Sequence, residues 1–515
     1  MPGRTLLLSP LEPEAVALLG REAISMQASS LAGRPGPDEA PFDLAFLRNP
    51  DGPELAAAAD RLGGDGVVYV ETTNPLVRAI TRRKLRRLGF ASTEAYWYLP
   101  SFEDATAVVS LADPNAVRYL LARPRGRRTG RLAARFASYL VGTPLQGLVA
   151  RNVALVGKRE FAPPRAALPP GGEKGPRPFV LLTPRFRASR HVVSLLLPPG
   201  GTQPTEVCKR PRLASDTEPI EREAAALSAV ERDAVGASAT APRLVALRTE
   251  GPDPGLVETA LVGRPVTPAV VRNDRDGLVS LALDWLTKLP RVEASEDPGW
   301  FERLVEAPLD RLEESFPGGT REAELVERTR ELCRPLRAGG FPLVLEHGDF
   351  AHPNLVLLPD GRLGAIDWEL AEERGLPLHD LSFFLGYVAR ADYGRGPGAA
   401  AEALSRALLE PGGWAARALA THADRLGVAS TVRVPLFVLS WARVAGRPVS
   451  SGEGSAATAD DEPPIRSAGE RLAWLRENRY TKVWKRAVES AGELDFGGRA
   501  VAAPLKTASA ARSGS

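Results

Sequence analysis

The sequence predicts a mixed α/β protein in two parts: a small α/β-layered segment over residues 1–160, and an α+β segment over about 179–495 whose strands come first and whose helices come last. Three observations carry this. Short apolar strand-like runs alternate with helix-like ones before residue 160. The stretch FAPPRAALPPGGEKGPRP from Phe161 to Pro178 can neither continue a helix nor fill a sheet, and marks a linker over 161–178. Beyond it, strand signals give way to longer runs with a helical apolar stripe.

Composition sets the outer limits. A chain of 515 residues with 44% hydrophobic and 25% charged residues is long enough for several domains and has the balance of a folded protein. A net charge of +3 does not call for a nucleic-acid partner, and none is expected. Two cysteines and five scattered histidines supply neither a disulfide framework nor zinc-ligand spacing, which points to a reducing, cytoplasmic setting. The N-terminal apolar run is too short for a signal peptide, and there are nowhere 18 consecutive apolar residues.

In the first part, FDLAFL at 42–47 and GVVYVE at 66–71 read as strands, with ELAAAADRL at 54–62 and a basic run from Pro75 to Leu88 as helices. That order implies a Rossmann-like layering. The runs GGDGVVYVE and RRKLRRLGFASTEAYWYLPSFED resemble the C-terminal half of class I SAM-dependent methyltransferases over about residues 40–112. Such enzymes bind SAM on a Gly-rich turn after their first strand, and TLLLSPLEPEAVALLG has none, so a degenerate scaffold is expected over 1–160 and methyl transfer is the least favoured activity. From Arg123 to Arg159 there are nine Lys/Arg and no Asp/Glu around FASYLVGTPLQGLVA. This composition suits weak contact with an anionic membrane surface, the alternative being a solvated basic face.

The chemistry-bearing stretch is HGDFAHPNLVLLPDGRLGAIDWE, from His347 to Glu369. Upstream, the run from Arg321 has an apolar stripe at Leu325, Cys333 and Leu336, closed by Gly339-Gly340, and FPLVLE reads as a strand leading to HGD. NLVLL and RLGAI flank Pro359-Asp360-Gly361, a turn signal, so a hairpin should return the chain to where it began. Asp349, Asn354 and Asp367 then converge. Two carboxylates and an amide oxygen make a hard oxygen site suited to Mg²⁺ carrying phosphate, and phosphoryl transfer also needs a carboxylate to orient the incoming hydroxyl.

The pattern HGDxxxxN, then IDWE, then Gly375, Pro377 and Asp380-Leu381, resembles the aminoglycoside phosphotransferase and choline kinase family, whose fold is protein-kinase-like. The resemblance implies Asp349 as the catalytic aspartate, Asn354 and Asp367 as Mg²⁺ ligands, and His347 and Asp380 as supports of the catalytic loop. It further implies ATP or GTP as phosphoryl donor and a small hydroxyl-bearing acceptor. His352 and His379 are assigned no role.

Such a fold needs an upstream lobe, expected over 179–260, with a lysine for the phosphates and a helix glutamate to hold it. FVLLTPRF, HVVSLLL and EVCKRPRL read as strands, the last bearing Lys209, with Arg210 or Arg212 as the alternative phosphate ligand. A Ser215-x-x-Glu218 capping signature opens a helix whose apolar face, Ile220, Ala224 and Leu227, also carries Glu223. A buried glutamate is costly unless paired, and Lys209 is the expected partner. TPRFRASRHVV lacks the glycines of a nucleotide loop, leaving Ser189 and neighbouring amides as phosphate contacts. VETALVGRPV is similar to the hinge of this family, which makes Glu258, Thr259 and Ala260 the adenine-side residues.

The helical lobe is expected over 261–495, with a loop at 454–464 and a disordered tail over 496–515. Residues 381–450 contain four acids against eight arginines, which argues against a polycationic acceptor and for a neutral or anionic one, such as a sugar or a glycan or lipid precursor. The sequence therefore predicts an ATP- and Mg²⁺-dependent small-molecule kinase, with a catalytically silent scaffold of a biosynthetic complex as the alternative.

Overall fold

The computed structural model describes residues 5–7, 23–25, 41–122, 137–143, 145–159, 177–182, 191–213, 215–234, 236–251, 253–393, 402–403, 405–409, 412–450, 468–494 and 496–497. The chain forms two compact units, one of Met1–Phe186 with His191–Lys209, the other of Arg187–Arg190 with Arg210–Ser515. Each is described by itself.

The first unit is built on a mixed sheet. Its strands are β1 (Thr5–Leu7), β2 (Ala23–Ser25), β3 (Phe42–Arg48), β4 (Leu62–Thr72), β5 (Ser92–Leu99), β6 (Ala107–Ser110), β7 (Val153–Lys158), β8 (Phe179–Leu182), β9 (His191–Leu196) and β10 (Glu206–Pro211). They lie in the order β10-β9-β8-β6-β5-β7-β4-β3-β1-β2. Pairing is parallel at β2-β1, β1-β3 and β3-β4, and β7 is inserted antiparallel between β4 and β5. A parallel β3-β4 pair needs a crossover, which is the helix Gly52–Arg61, started by a capping box of Asp51 and Glu54. Alternation buries Ala45, Leu47, Val68 and Val70 against Leu55, Ala58 and Ala59 of that helix.

The compact units do not divide at the Pro/Gly stretch. β8 and β9 pair antiparallel onto β6, at Val109↔Val180 and Val180↔Leu195, so that strands expected to open a second lobe extend the first unit's sheet instead. The reason is burial: β6 is buried at all four positions, and β8 covers its edge while Val180 and Leu195 join the core of Val109, Val117 and Leu120. Residues 160–176, 8–22 and 123–136 lie outside the described residues, and with them most of the linker, the turn after β1 and six of the nine basic residues of the basic stretch. Of the last, Tyr139 and Leu145 are described and exposed.

The second unit opens with the helix Glu218–Asp233. Its N-cap is Thr217 rather than Ser215, and no side chain caps it, so the expected capping box does not form. The predicted face is the buried one, with Ile220, Glu223, Ala224 and Leu227 inside. β11 (Leu244–Arg248) and β12 (Gly255–Thr259) form an antiparallel hairpin against it. Two small sheets follow. In one, β13 (Arg264–Pro265) pairs with β16 (Leu355–Leu357), which pairs with β17 (Leu363–Ala365); in the other, β14 (Arg291–Glu293) and β18 (Glu372–Gly375) flank β15 (Pro342–Glu346).

Helices Arg275–Leu286, Arg321–Cys333, His379–Tyr393, Trp414–Leu426, Ser430–Ser450 and Arg479–Glu489 enclose one large core. Within it, Trp285 stacks on Phe350 with ring centroids 4.9 Å apart and leans on Trp368 at 5.9 Å, which ties the helical part to the segment bearing Asp349 and Asp367. Among the described residues no single helix is long and apolar enough to cross a membrane. Residues 454–464 and 498–515 lie outside the described residues. Phe496, the first residue of the expected tail, is instead packed 5.1 Å from Phe437, and its carbonyl accepts from Arg433.

Gly364 on β17 is held by close approach. A Cβ there would stand 2.8 Å from the carbonyl oxygen of Thr240 and 2.6 Å from Leu261. Gly364→Ala is expected to lower stability by about 1–3 kcal/mol, read as a fall in the denaturant midpoint at unchanged slope.

Candidate active site

The strand β15 is buried along its length and carries the chain into His347-Gly348-Asp349. The loop is gripped from both sides. Asp380, at the start of the helix His379–Tyr393, accepts the N–H of His347 at 2.6 Å on one carboxylate oxygen and that of Gly348 at 2.9 Å on the other. The His347 ring, fully buried, donates from Nε2 to the Ile366 carbonyl at 3.1 Å and accepts the Asp349 N–H on Nδ1 at 3.3 Å, which fixes its neutral tautomer. Gly348 has φ +84°, and a Cβ would lie 2.1 Å from the Leu370 carbonyl oxygen, so only glycine fits.

The hairpin performs the expected return. Leu355 faces Ala365, the Ile366 N–H donates to the Asn354 carbonyl at 2.9 Å, and the turn at Pro359-Asp360-Gly361 is closed by Asp360 accepting the Arg362 N–H at 3.1 Å. Asn354 and Ile366 are therefore neighbours, and Asp367 is the next residue. Asn354 Nδ2 donates to the Asp349 carboxylate at 2.8 Å and to its carbonyl at 3.2 Å. Asp367 sits at φ +71°, a conformation that costs a non-glycine residue about 1–3 kcal/mol and that persists only where its surroundings impose it.

Electrostatics mark the same spot. Burial pushes the Asp349 carboxyl up to about 6, with Arg447 pulling the other way and the charges of Asp367 and Glu369 pushing further. Carboxylates that raise one another in this way form a donor set that a divalent cation relieves. With its nitrogen committed to Asp349, Asn354 has its amide oxygen left to give beside Asp367, and the residues present fit Mg²⁺.

Glu223 is fully buried, as its place on the apolar face requires, and it accepts the N–H of Trp368 at 2.9 Å. The helix glutamate thus steadies the backbone just past Asp367, a partner that no reading of the sequence suggested. Lys209 is buried on β10 in the first unit. Ser189 lies outside the described residues. Of the hinge residues, Glu258 is buried on β12, Ala260 lies just beyond it, and Thr259 spends its N–H on the Arg243 carbonyl and its hydroxyl oxygen on the Arg243 N–H, both at 2.9 Å. The amide donor of Thr259 is therefore already taken.

A network missed from sequence underlies the loop. Arg443 clamps Glu346, the residue before His347, with two hydrogen bonds of 2.7 and 3.0 Å. Burial opposes this charge, yet Arg443 holds the Glu346 carboxyl down at about 2, while burial and the Glu346 charge push Asp380 up to about 7. One turn further along the same helix, Arg447 donates to the Gly348 carbonyl, and its guanidinium lies 2.6 Å from His379 Nε2. His379, read as idle, is wholly buried in this network, and burial drives its protonation far below the usual histidine range. The available signal was two arginines four residues apart, Arg443 and Arg447, in the mainly apolar run from Val434 to Arg447.

Residues 192–420 match the phosphotransferase enzyme family. That match covers less than half of the chain. No curated protein matches the chain. Among solved structures it is similar to a choline/ethanolamine kinase family protein from Mesorhizobium loti, at 19% identity and TM-score 0.35, over 63% of this chain and 96% of the other. It is likewise similar to an ethanolamine kinase from Plasmodium vivax, at 12% identity and TM-score 0.38 over 68% and 90%, and to a choline kinase from Streptococcus pneumoniae, at 14% and 0.35 over 62% and 92%. These are distant likenesses.

The second unit also stores an acid-sensitive contact beside the loop. His422, on the helix Trp414–Leu426, is buried and hydrogen-bonded to the Pro377 backbone three residues before Asp380; burial first, then Arg425, lowers its pKa to about 4. The unfolded chain takes up this proton near pH 6.5 and the folded one only near 4, so stability contributed by neutral His422 is present above 6.5 and lost as the pH falls toward 4. The contribution is up to about 3 kcal/mol. His422→Gln, which cannot titrate, is expected to flatten the fall in melting temperature between those pH values.

Proposed function

We propose that the chain transfers the γ-phosphoryl group of a nucleoside triphosphate to a hydroxyl of a small acceptor. The observation that carries this reading is the convergence of Asp349, Asn354 and Asp367 at one hairpin end, with Asn354 holding the Asp349 carboxylate at 2.8 Å. Asp349 accepts the acceptor's proton as the hydroxyl oxygen forms its bond to the γ-phosphorus and the bond to the β-phosphate bridging oxygen breaks, releasing the diphosphate. The raised Asp349 carboxyl, at about 6, is a stronger base than a solvated aspartate and suits this role.

Asp367 and the Asn354 amide oxygen are the residues that would hold Mg²⁺, which when bound neutralises charge on the phosphates. The remaining assignments follow the family pattern: Lys209 to the phosphates, Ser189 to the nucleotide loop, and Glu258 to Ala260 to the base, with ATP or GTP as donor. For Glu223 the reading is support of the Asp367 segment, given its hydrogen bond to Trp368. His347 and Asp380 hold the loop and touch no reacting atom.

The test uses the full-length chain. Mg-ATP or Mg-GTP is expected to raise the melting temperature, and Asp367→Ala to remove the metal-dependent part of that rise. Asp349→Ala is expected to leave the nucleotide shift in place, to lower turnover about 10²–10⁴-fold, and not to lower the melting temperature at pH 8, since it removes a carboxylate that burial disfavours. Nucleotide binding without turnover in the unsubstituted chain would sink the catalytic reading in favour of a scaffold, turnover unchanged in Asp349→Ala would sink the role given to Asp349, and no nucleotide shift at all would sink the phosphotransferase reading and leave the scaffold.

A further inference from the structure

Beside the catalytic loop lies a cavity of about 370 Å³, within the range of small-ligand sites and lined only by residues of the second unit. One wall is Leu370, Ala371 and Glu372, three to five residues beyond Asp367. Another includes Arg447, which also donates to the carbonyl of Gly348, the residue before Asp349, and whose charge acts on the Asp349 carboxylate. The cavity thus shares Arg447 with the catalytic loop and borders the segment that follows Asp367.

The lining is strongly positive, with five arginines against two glutamates. The glutamates are already spoken for. Arg443 clamps Glu346 through both oxygens, and Arg303 pairs with Glu372 at 3.2 Å. Arg222 has its ion-pair partner in Glu218, one turn back on the same helix and outside the lining. Arg311 is exposed and, among the described residues, has no side-chain ion pair or hydrogen bond. Leu304, Ala307 and Pro308 supply an apolar strip between these guanidinium groups. A cationic acceptor would enter beside the guanidinium of Arg311, which no ion pair offsets among the described residues. An anionic one would meet guanidinium groups whose planar forks match phosphate and carboxylate oxygens, with apolar surface for its ring or chain.

We propose that this cavity is the acceptor site and that the acceptor is a hydroxyl compound bearing a phosphate or carboxylate group, bound by Arg311 and Arg222. The inference rests on the phosphotransferase reading above. It extends that reading by naming the charge class of the acceptor and the residues that select it.

The experiment is thermal shift of the full-length chain, without nucleotide, against four matched sugars: glucose, glucosamine, glucose 6-phosphate and glucuronate. Mg-ATP and Mg-GTP are run alongside as the independent check of the phosphotransferase reading. The phosphate or carboxylate sugar is expected to raise the melting temperature while the neutral and cationic ones do not, and added salt should shrink the shift. The response of the two anionic arms separates a phosphate-bearing from a carboxylate-bearing acceptor. Arg311→Glu is expected to lose at least half of the shift and Arg311→Lys to retain most of it.

A nucleotide shift without an anion shift overturns the inference and leaves the phosphotransferase reading standing. So does an anion shift that Arg311→Glu does not alter, or a stronger response to glucosamine. An anion shift that needs Arg311, without any nucleotide shift, supports the anion site and overturns the phosphotransferase reading.

Discussion

Ile366 is the crossing point on which the candidate site depends. Its N–H goes to the Asn354 carbonyl and its carbonyl takes the proton of His347 Nε2, so three chain segments meet at one peptide. The first bond closes the hairpin and sets Asn354 beside Asp367; the second ties that hairpin end to the loop bearing Asp349. His347 and Asn354 are buried and Ile366 is partly so, and there a lost partner costs more than a made bond contributes, so the arrangement is held by the penalty for opening it.

Around this crossing the protein concentrates groups that are unfavourable one by one. Asp349 is a half-buried carboxylate near two other acids, Asp367 has a left-handed backbone, Gly348 accepts no side chain, and Glu346 is a wholly buried charge. Each is compensated by a specific neighbour: Asn354 at Asp349, the Glu223 bond to Trp368 just after Asp367, Asp380 at the Gly348 amide, and Arg443 at Glu346. The aromatic stack of Trp285, Phe350 and Trp368 gives these contacts a rigid floor. Strain of this kind is stored where function needs fixed geometry, and paid for by the packing around it.

The arginines of the helical part show why charge counted along a sequence is a weak guide to a binding surface. Of the eight between residues 381 and 450, Arg406, Arg417 and Arg425 are exposed, whereas Arg433, Arg443 and Arg447 turn inward. Arg433 serves packing, holding the Val428 and Phe496 carbonyls. Arg443 and Arg447 serve the loop. The surplus that gives the cavity its sign includes Arg222 and Arg311, which lie outside that sequence window altogether.

The sequence by itself determined the hairpin, the convergence of Asp349, Asn354 and Asp367, the buried face of the Glu218–Asp233 helix, and the family pattern of the C-terminal region. These are local: turn residues, alternation and helical periodicity act within about twenty residues, and they dictate which side chains share a face. Only the tertiary structure decided that Glu223 bonds to Trp368, that Arg443 and Arg447 fold back onto Glu346 and Gly348, and that β8 and β9 extend the first unit's sheet. In each case the partners are far apart in the chain, and the choice among several chemically adequate partners is made by which surfaces the folded core brings within hydrogen-bonding distance.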